Sequence, residues 1–404
     1  MVAATVSGTE ELRRANLRAL LRAVHTRGPT TRAELTRLLG LNRSTIGGLT
    51  SELMELGLVA ERVATRVDAR GSRTGRPSNL VEPRPENAVI AVDLGVDRVQ
   101  VALVGLGGTV LDRRVRHHQR GEHDVNHVVE TVAQMVEQTL AGCTSKRCLG
   151  IGVSLPGAVR ARDGMVQFAP NLGWHGEPFT ALLSKRLGRP VTAGNDANLG
   201  VIAEHLRGAA VGHEHAAYLS ASVGIGGGFL VGGVLLEGST GYAGEIGHLQ
   251  VDADGPACTC GGSGCWELKV GENRLLTLAG RLPGGGPEAV AEVIASARDG
   301  EARARAAVEE VAEWAGVGLR AIINIFNPEV IVLGGSMAQL WESAADRMER
   351  ALVRTALLAP REDVVVRPAK LGQDSSLVGA AELAFAAVLE DPQAVNELVA
   401  VDGR

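Results

Sequence analysis

The chain has 404 residues, of which 45% are hydrophobic, 22% charged and only 3% aromatic, with a net charge of −5; that length gives room for about two to four domains with real cores. No apolar run is long enough for a bilayer span, and the N-terminal MVAATVSGTEELRR lacks the apolar centre of a secretion signal, so a soluble, cytoplasmic protein with no membrane partner is expected. The scarcity of aromatics argues against reading single-stranded nucleic acid by base stacking, and 52 glycines suggest a backbone that approaches a ligand closely, although turns and small-residue packing use glycine too.

The charge is unevenly spread: residues 1–87 hold 14 Arg, no Lys and 9 acidic residues, a net of +5, whereas residues 88–404 carry −10. A basic head on an acidic body suggests that only the head faces a polyanion, although a solvated helix face yields the same count. Leu17, Leu20, Leu21 and Val24 form one apolar stripe on a helix predicted from about Glu10 to Thr26. Gly28-Pro29 stops it. Thr31 and Glu34 have capping-box spacing ahead of a second helix whose buried face is Leu35, Leu38 and Leu39, and Gly40 ends it. A third helix begins near Arg43 and buries Ile46, Leu49, Leu53 and Leu56. Helix, tight glycine turn, helix is the helix-turn-helix pattern; Leu58 to Val67, followed by ARGSRTGRPSNLVEP, reads as a hairpin wing trailing into a linker. The expectation is a winged helix-turn-helix over residues 1–72 and a linker at 73–87. The first turn of the third helix, Arg43, Ser44 and Thr45, then offers groups to base edges and phosphates of operator DNA. Gly47 and Gly48 present no side chain and weaken that helix, so readout leans on the wing, where Arg73 or Arg76 could enter a narrow minor groove. Two alternatives stay open: the Arg-rich stretch as a plain charged linker, and the three helices as a partner-binding bundle.

From Val89 the pattern changes to strands. VIAVDLG ends in Asp93 and Gly95, alternation at Val99, Val101 and Leu103 follows, and Gly107-Gly108 turns into a third strand, so three antiparallel strands open the domain. Helices predicted near 125–141 and 303–325 separate further strands near 149–155, 191–194, 217–223, 229–231 and 330–333, a mixture typical of α/β layers. Two glycine-rich turns, at Asp93 and Gly95 and at Gly224, Gly226 and Gly227, are places where backbone N–H groups could cradle phosphate. A hairpin turn explains such glycines equally well.

Between Gly241 and Glu267 lies a denser constellation. His248 precedes Cys258, Cys260 and Cys265, three thiols within eight residues. In a cytoplasmic chain they are not expected as disulfides, and with the imidazole they provide the Cys₃His set of a closed tetrahedral zinc site; the bland alternative is three thiols beside a chance histidine. Four protein ligands leave no position for water, so this zinc is expected to be structural and to fix the loop bearing Glu245 and Glu267. Cys143 and Cys148 lack a third partner nearby and read as ordinary thiols.

AGEIGH, the Cys-x-Cys-Gly-x-x-Gly-Cys-x-Glu run, SLPG at 154–157, PNLGW at 170–174, GNDAN at 194–198 and VIVLGG at 330–335 together resemble the ROK family of repressors and sugar kinases, over roughly residues 88–390. The basic head resembles its repressor branch, which includes xylose and N-acetylglucosamine repressors. The resemblance implies a two-lobed α/β actin-like ATPase (ribonuclease H-like) fold over 88–404, with a lobe boundary near 194, a C-terminal helix returning to the first lobe, and a sugar in the cleft. It implies sugar contacts from Asn171, Asn195, Asp196, Glu245, His248 and Glu267, with one His248 nitrogen on zinc and the other toward the sugar. Paired amides and carboxylates suit the hydroxyl ring of a pyranose.

In the family's kinases the position of Asp196 carries the base that takes the proton of the attacking hydroxyl. The nucleotide side departs from that pattern: Val96-Asp97 and Ser222-Val223 stand where a kinase has Gly-Thr, so a carboxylate and lost hydroxyls degrade both phosphate loops. The implied protein is a sugar-responsive, DNA-binding regulator of carbohydrate genes, most simply a repressor. It would bind a monosaccharide or sugar phosphate, use no ATP, catalyse nothing, and pair as a homodimer or dimer of dimers. An active ATP-dependent sugar kinase with an added DNA-binding domain is one alternative; a regulator whose cleft takes a non-sugar or a protein is another.

Overall fold

Leucines at helical spacing build the head. The computed structural model describes residues 8–63, 79–121, 123–142, 147–353 and 362–400. Helix α1 (Gly8–Arg27) buries Leu17, Leu20, Leu21 and Val24. After the short strand β1 (Thr30–Thr31), Thr31 and Glu34 form the expected capping box of α2 (Arg32–Leu39), and Gly40 closes that helix in the left-handed conformation. Leu38, expected on the buried face, is exposed; on so short a helix Leu35 fills the core. Asn42 caps α3 (Arg43–Glu55) by accepting from the Thr45 N–H.

Strand β2 (Val59–Val63) pairs antiparallel with β3 (Asn79–Pro83), and β1 pairs with the other edge of β3. Part of the 73–87 span read as linker is therefore a strand. Leu80 and Val81 are buried and hold it to the head; Pro77, Pro83 and Pro85 punctuate this stretch and disguise it in the sequence.

The body opens with an antiparallel meander, β4 (Asn87–Leu94), β5 (Arg98–Gly105) and β6 (Thr109–His117). Helix α4 (Val125–Ala141) crosses to β7 (Arg147–Leu155), which runs parallel to β4. A small antiparallel sheet of β8 (Ala158–Val159), β9 (Val166–Ala169) and β10 (Trp174–Glu177) and helix α5 (Phe179–Leu187) lead to β11 (Val191–Asn195), parallel to β7. The first sheet is thus ordered β11-β7-β4-β5-β6.

Helix α6 (Asp196–Arg207) crosses to the second lobe, which repeats the plan. Strands β12 (Ala216–Ala221), β13 (Ile225–Val231) and β14 (Val234–Leu235) form its antiparallel meander. Helices α7 (Glu267–Val270), α8 (Glu272–Leu278), α9 (Gly286–Arg298) and α10 (Ala302–Phe326) precede β15 (Val330–Gly334), and α11 (Gly335–Val353) precedes β16 (Val365–Pro368). Both of these strands add in parallel, giving β14-β13-β12-β15-β16. Strand β4 is buried along its whole length because both faces of the first sheet are covered, which is why it reads as an unbroken apolar run.

Helix α12 (Ser375–Glu390) returns to the first lobe and lies on β4 and β7. The approach is close: a Cβ on Gly152 would stand 2.0 Å from the carbonyl oxygen of Ala380. Phe385, Val388 and Leu389 of α12 share one apolar core with Leu17, Leu20, Leu21 and Val24 of α1, so the head sits directly on the body. Short α13 (Val395–Ala400) ends the described chain. Among the described residues no helix is long and apolar enough to cross a membrane.

Candidate functional site

The junction of the lobes is where β11 delivers Asn195 and α6 opens with Asp196. Asn195 is the cap of α6: its Oδ1 accepts from the N–H groups of Ala197 and Asn198, both at 3.0 Å, and its Nδ2 donates to the Gly157 carbonyl at 2.9 Å and to Asp196 Oδ1 at 3.0 Å. Every polar group of that amide is engaged. Asp196 Oδ1 also accepts from the Ala197 N–H at 2.8 Å. Burial, and then the charge of Asp93, push the Asp196 carboxyl up to about 7. Asp93 is raised too, by its own burial, against the pull of Arg98, the nearby Ser154 hydroxyl and the bond from Gln100. Near neutral pH Asp196 therefore both donates and accepts, which suits a hydroxyl-bearing ligand.

Farther along the cleft stand Glu245, His248 and Glu267. Glu245 keeps solvent access, yet the surrounding walls raise its pKa through burial; His248 opposes that shift and Glu267 adds to it. Glu267 opens α7 with Oε1 3.1 Å from Cys258 Sγ and 3.4 Å from His248 Nδ1. Its Oε2 leaves no room for a side chain at Gly224, where a Cβ would come within 2.8 Å. Asn171 is exposed on the single turn Pro170–Leu172 and, with Glu267, Thr259 and Asn273, lines a cavity of about 380 Å³.

His248, Cys258, Cys260 and Cys265 converge so that one ligand atom from each lies within 4.8 Å of all the others. Cys260 Sγ is 3.6 Å from Cys265 Sγ, and Cys258 Sγ is 3.7 Å from His248 Nδ1. A tetrahedron with metal–sulfur bonds of about 2.3 Å and metal–nitrogen bonds of about 2.0 Å has edges of about 3.5 to 3.8 Å; these two separations match, so the set is one that could hold a metal ion. The chemistry of the set agrees. Burial and the adjacent Cys260 and Cys258 sulfurs push the Cys265 thiol up to about 12, so that thiol gives up its proton at neutral pH only if a cation sits beside it. With Nδ1 on the cluster side, His248 keeps Nε2 for another partner.

Beyond Asp196 a second cavity, of about 230 Å³, runs past Asp93, Gly95, Glu272 and Ser336. Arg120 lies on its wall and spans the lobes. It donates to Asp97 Oδ2 through Nε at 3.1 Å and Nη2 at 2.7 Å, and through Nη1 to the buried Glu272 of α8. Asp97 is thus no bare carboxylate facing phosphate, as its position in the sequence implied, but one arm of a carboxylate–guanidinium–carboxylate bridge. The supposed phosphate-loop glycines have packing roles as well. Gly95 N–H is spent on the Arg98 carbonyl in the β4–β5 turn, a Cβ on Gly226 would stand 3.1 Å from Ala197 Cβ, and one on Gly227 would stand 2.6 Å from Ile246.

In the head, Arg43 and Ser44 are exposed and Thr45 is half-buried at the start of α3. Ser44 Oγ donates to Asn42 Oδ1 at 2.7 Å. Arg13, Arg32 and Arg62 are paired with Glu52, Glu61 and Glu82, whereas among the described residues Arg43 has no ion-pair partner. Arg73 and Arg76 lie outside the described residues.

The ROK family pattern matches residues 89–387. The chain belongs to the ROK family. It is 28% identical to the xylose repressor of Caldicellulosiruptor bescii over 377 residues, covering 90% of this chain and 93% of that one. With the glucokinase of Thermotoga maritima it shares 31% identity over 315 residues, but there only 74% of this chain is covered, against 98% of the kinase. Among solved structures, a ROK family transcriptional regulator, a homologue of the E. coli MLC protein, superposes with a TM-score of 0.78 at 24% identity, covering 97% of this chain and all (100%) of the other; at that identity the likeness establishes the fold.

Of the motif residues, Asp196 feels the charge of Glu245, Glu245 feels His248 and Glu267, and Glu267 shares a cavity with Asn171. Arg120 could not be found from the sequence, because HHQRGEHD matches no motif and its partner Glu272 is 152 residues away. Its role exists only once two lobes face each other.

Proposed function

We propose that this ROK protein is a sugar-responsive, DNA-binding transcriptional repressor that does not phosphorylate its sugar. The head carries the proposal: α3 presents Arg43 on the surface with no ion-pair partner among the described residues, and the head shares its core with the sugar-type body. A match covering 90% of the chain leaves at most about 40 residues out and so takes in more than half of the first 87, whereas the kinase match covers 74%. Arg43, Ser44 and Thr45 would contact operator DNA, with Arg73 and Arg76 of the wing reaching the minor groove, in a homodimer or dimer of dimers whose paired heads read two half-sites.

The effector is a monosaccharide or sugar phosphate, xylose being the first to try given the repressors the chain is similar to. Asp196, Glu245, the free nitrogen of His248 and Glu267 would hydrogen-bond its hydroxyls, with Asn171 at the rim and Asn195 acting through the orientation it imposes on Asp196. His248, Cys258, Cys260 and Cys265 would hold a structural zinc ion, which when bound ties the loop of Glu245 to that of Glu267.

One observation favours the second possibility, a working kinase: Asp196, where the ROK resemblance places a kinase's base, shares a cavity with a second carboxyl, Asp93. ATP consumption with a panel of monosaccharides separates the two. A repressor of this design binds a duplex selected by the sugar-free protein and turns over no ATP; rapid sugar-dependent ATP consumption would replace it with the kinase.

A further inference from the structure

His25 stands in the last turn of α1, at the base of the head, and is completely buried. Its partners all come from the body. The N–H of Gly107, in the β5–β6 turn, donates to Nδ1 at 3.0 Å, which leaves the ring proton on Nε2, 2.9 Å from Glu382 Oε2 of α12. Arg207, the last residue of α6, closes the cluster. Its Nε donates to Glu382 Oε1 at 2.6 Å, and its Nη1 donates to the Gly107 carbonyl at 3.1 Å and to the His25 carbonyl at 3.3 Å. Burial works against the charge of Glu382, yet the bond from His25 and the Arg207 guanidinium hold it below the ordinary carboxylate range. The Phe385 ring meets the imidazole edge-on, with 4.9 Å between centroids. A buried charged cluster between a head and a body is a costly way to glue two apolar surfaces, and its geometry leaves little freedom in how α1 sits.

The opposite end of α6 is the effector cleft: Asn195 caps it and Asp196 is its first residue. From Asp196 to Arg207 the helix is about 17 Å long at its ordinary rise. It is gripped from both lobes. A Cβ on Gly228 of β13 would stand 2.3 Å from the Ala197 carbonyl oxygen, and one on Gly379 of α12 would stand 2.1 Å from that of Leu199. Glu204, fully buried in the last turn of α6, accepts from Ser375 Oγ at the start of α12 at 2.8 Å and from the N–H groups of Leu371 at 2.9 Å and Lys370 at 3.2 Å in the segment just before it. Helices α6 and α12 are therefore closely joined, with Asp196 at one end of α6 and the Arg207–Glu382 pair at the other.

We propose that this pair of helices is the link between effector and DNA: a sugar held at Asp196 displaces α6 and α12 together, and the His25–Arg207–Glu382 cluster turns that displacement into a change in the attitude of the head. The proposal rests on the repressor function above. His25 and Arg207 are positioning residues; neither touches sugar or DNA.

The test uses the full-length zinc-loaded chain, a fluorescent duplex selected from a random pool by the sugar-free parent, and D-xylose, with D-glucose in parallel, as effectors. Duplex affinity is measured with and without sugar, and sugar affinity by calorimetry, for the parent, Arg207→Lys and His25→Ala. If the link is correct, the parent shows a coupling factor of about fivefold or more, while each variant binds duplex and sugar separately within about threefold of the parent and its coupling factor falls below about twofold. Arg207→Lys keeps the charge and loses only the fork, so it reports even if His25→Ala fails to fold. Variants that retain the parent's coupling overturn the link and leave the repressor function standing. A parent that binds both partners without coupling, or binds no duplex or neither sugar, overturns the repressor function and the link with it.

Discussion

Replacing Asp196 by Asn should stabilise the protein above neutral pH and lose that benefit in acid. In the folded chain the carboxyl is pushed up to about 7 from an ordinary 3.8 by burial and by Asp93. Each unit of displacement corresponds to about 1.36 kcal/mol, which sets a ceiling of about 4 kcal/mol. The side chain is partly open to the cleft, so screening by solvent brings the expected effect nearer to about 2 kcal/mol. The folded state prefers the proton. Its disadvantage is therefore absent below about pH 4, where both states are neutral, grows as the unfolded chain ionises, and is complete above about pH 7. Asn retains a carbonyl oxygen for the Ala197 N–H and the Asn195 amide, which bond Oδ1 at 2.8 and 3.0 Å, so the helix cap survives. Urea titrations of parent and variant at about pH 8 and about pH 4.5 read the difference. A variant no more stable than the parent at the higher pH, or one whose advantage is undiminished at the lower, would show that Asp196 is not a frustrated charge.

Elemental analysis of protein purified without chelator should find one zinc per chain, and Cys260→Ser should lose both the metal and most of the sugar affinity; full sugar affinity without zinc would detach the metal from the effector site. Because the thiols must lose protons to bind, zinc retention should weaken as pH falls, measurable by competition with a chelator. ATP turnover on any monosaccharide should stay far below the ordinary enzyme range of about 1 to 1000 per second, since Arg120 and its two carboxylates line the cavity beyond Asp196; turnover inside that range would make Asp196 a general base. Arg43→Ala should weaken duplex binding by about 1 to 3 kcal/mol without altering zinc content or sugar affinity, and undiminished binding would remove α3 from the interface.

The sequence carried local structure well and long-range structure unevenly. The leucine stripe of α1, the Thr31–Glu34 capping box and the apolar run of β4 depend on neighbours a few residues apart, and all were legible. So was the convergence of His248 with three thiols that lie within eight residues of one another. Strand β3 was hidden because prolines surround it and its partner β2 lies across 15 intervening residues. Leu38 sits at a helical position that looks buried, yet it is left exposed among the described residues. In the cleft, motif strings located Asp196, Glu245, His248 and Glu267 but not their chemistry. Whether Asn195 reaches a ligand or caps a helix depends on where the Gly157 carbonyl lies, and the meaning of Asp97 reverses once Arg120 is beside it. The His25 cluster assembles residues 25, 107, 207 and 382, and no spacing rule connects them.

The most direct test of the repressor function is duplex affinity of the full-length protein, measured by fluorescence anisotropy at fixed salt with and without saturating monosaccharide, paired with sugar affinity measured with and without saturating duplex. The two sites on one chain should be coupled: sugar changes duplex affinity by a factor in the range of about five to 150, and duplex changes sugar affinity by that same factor, as linkage requires. Tight sugar binding with the same duplex affinity in both conditions would contradict it.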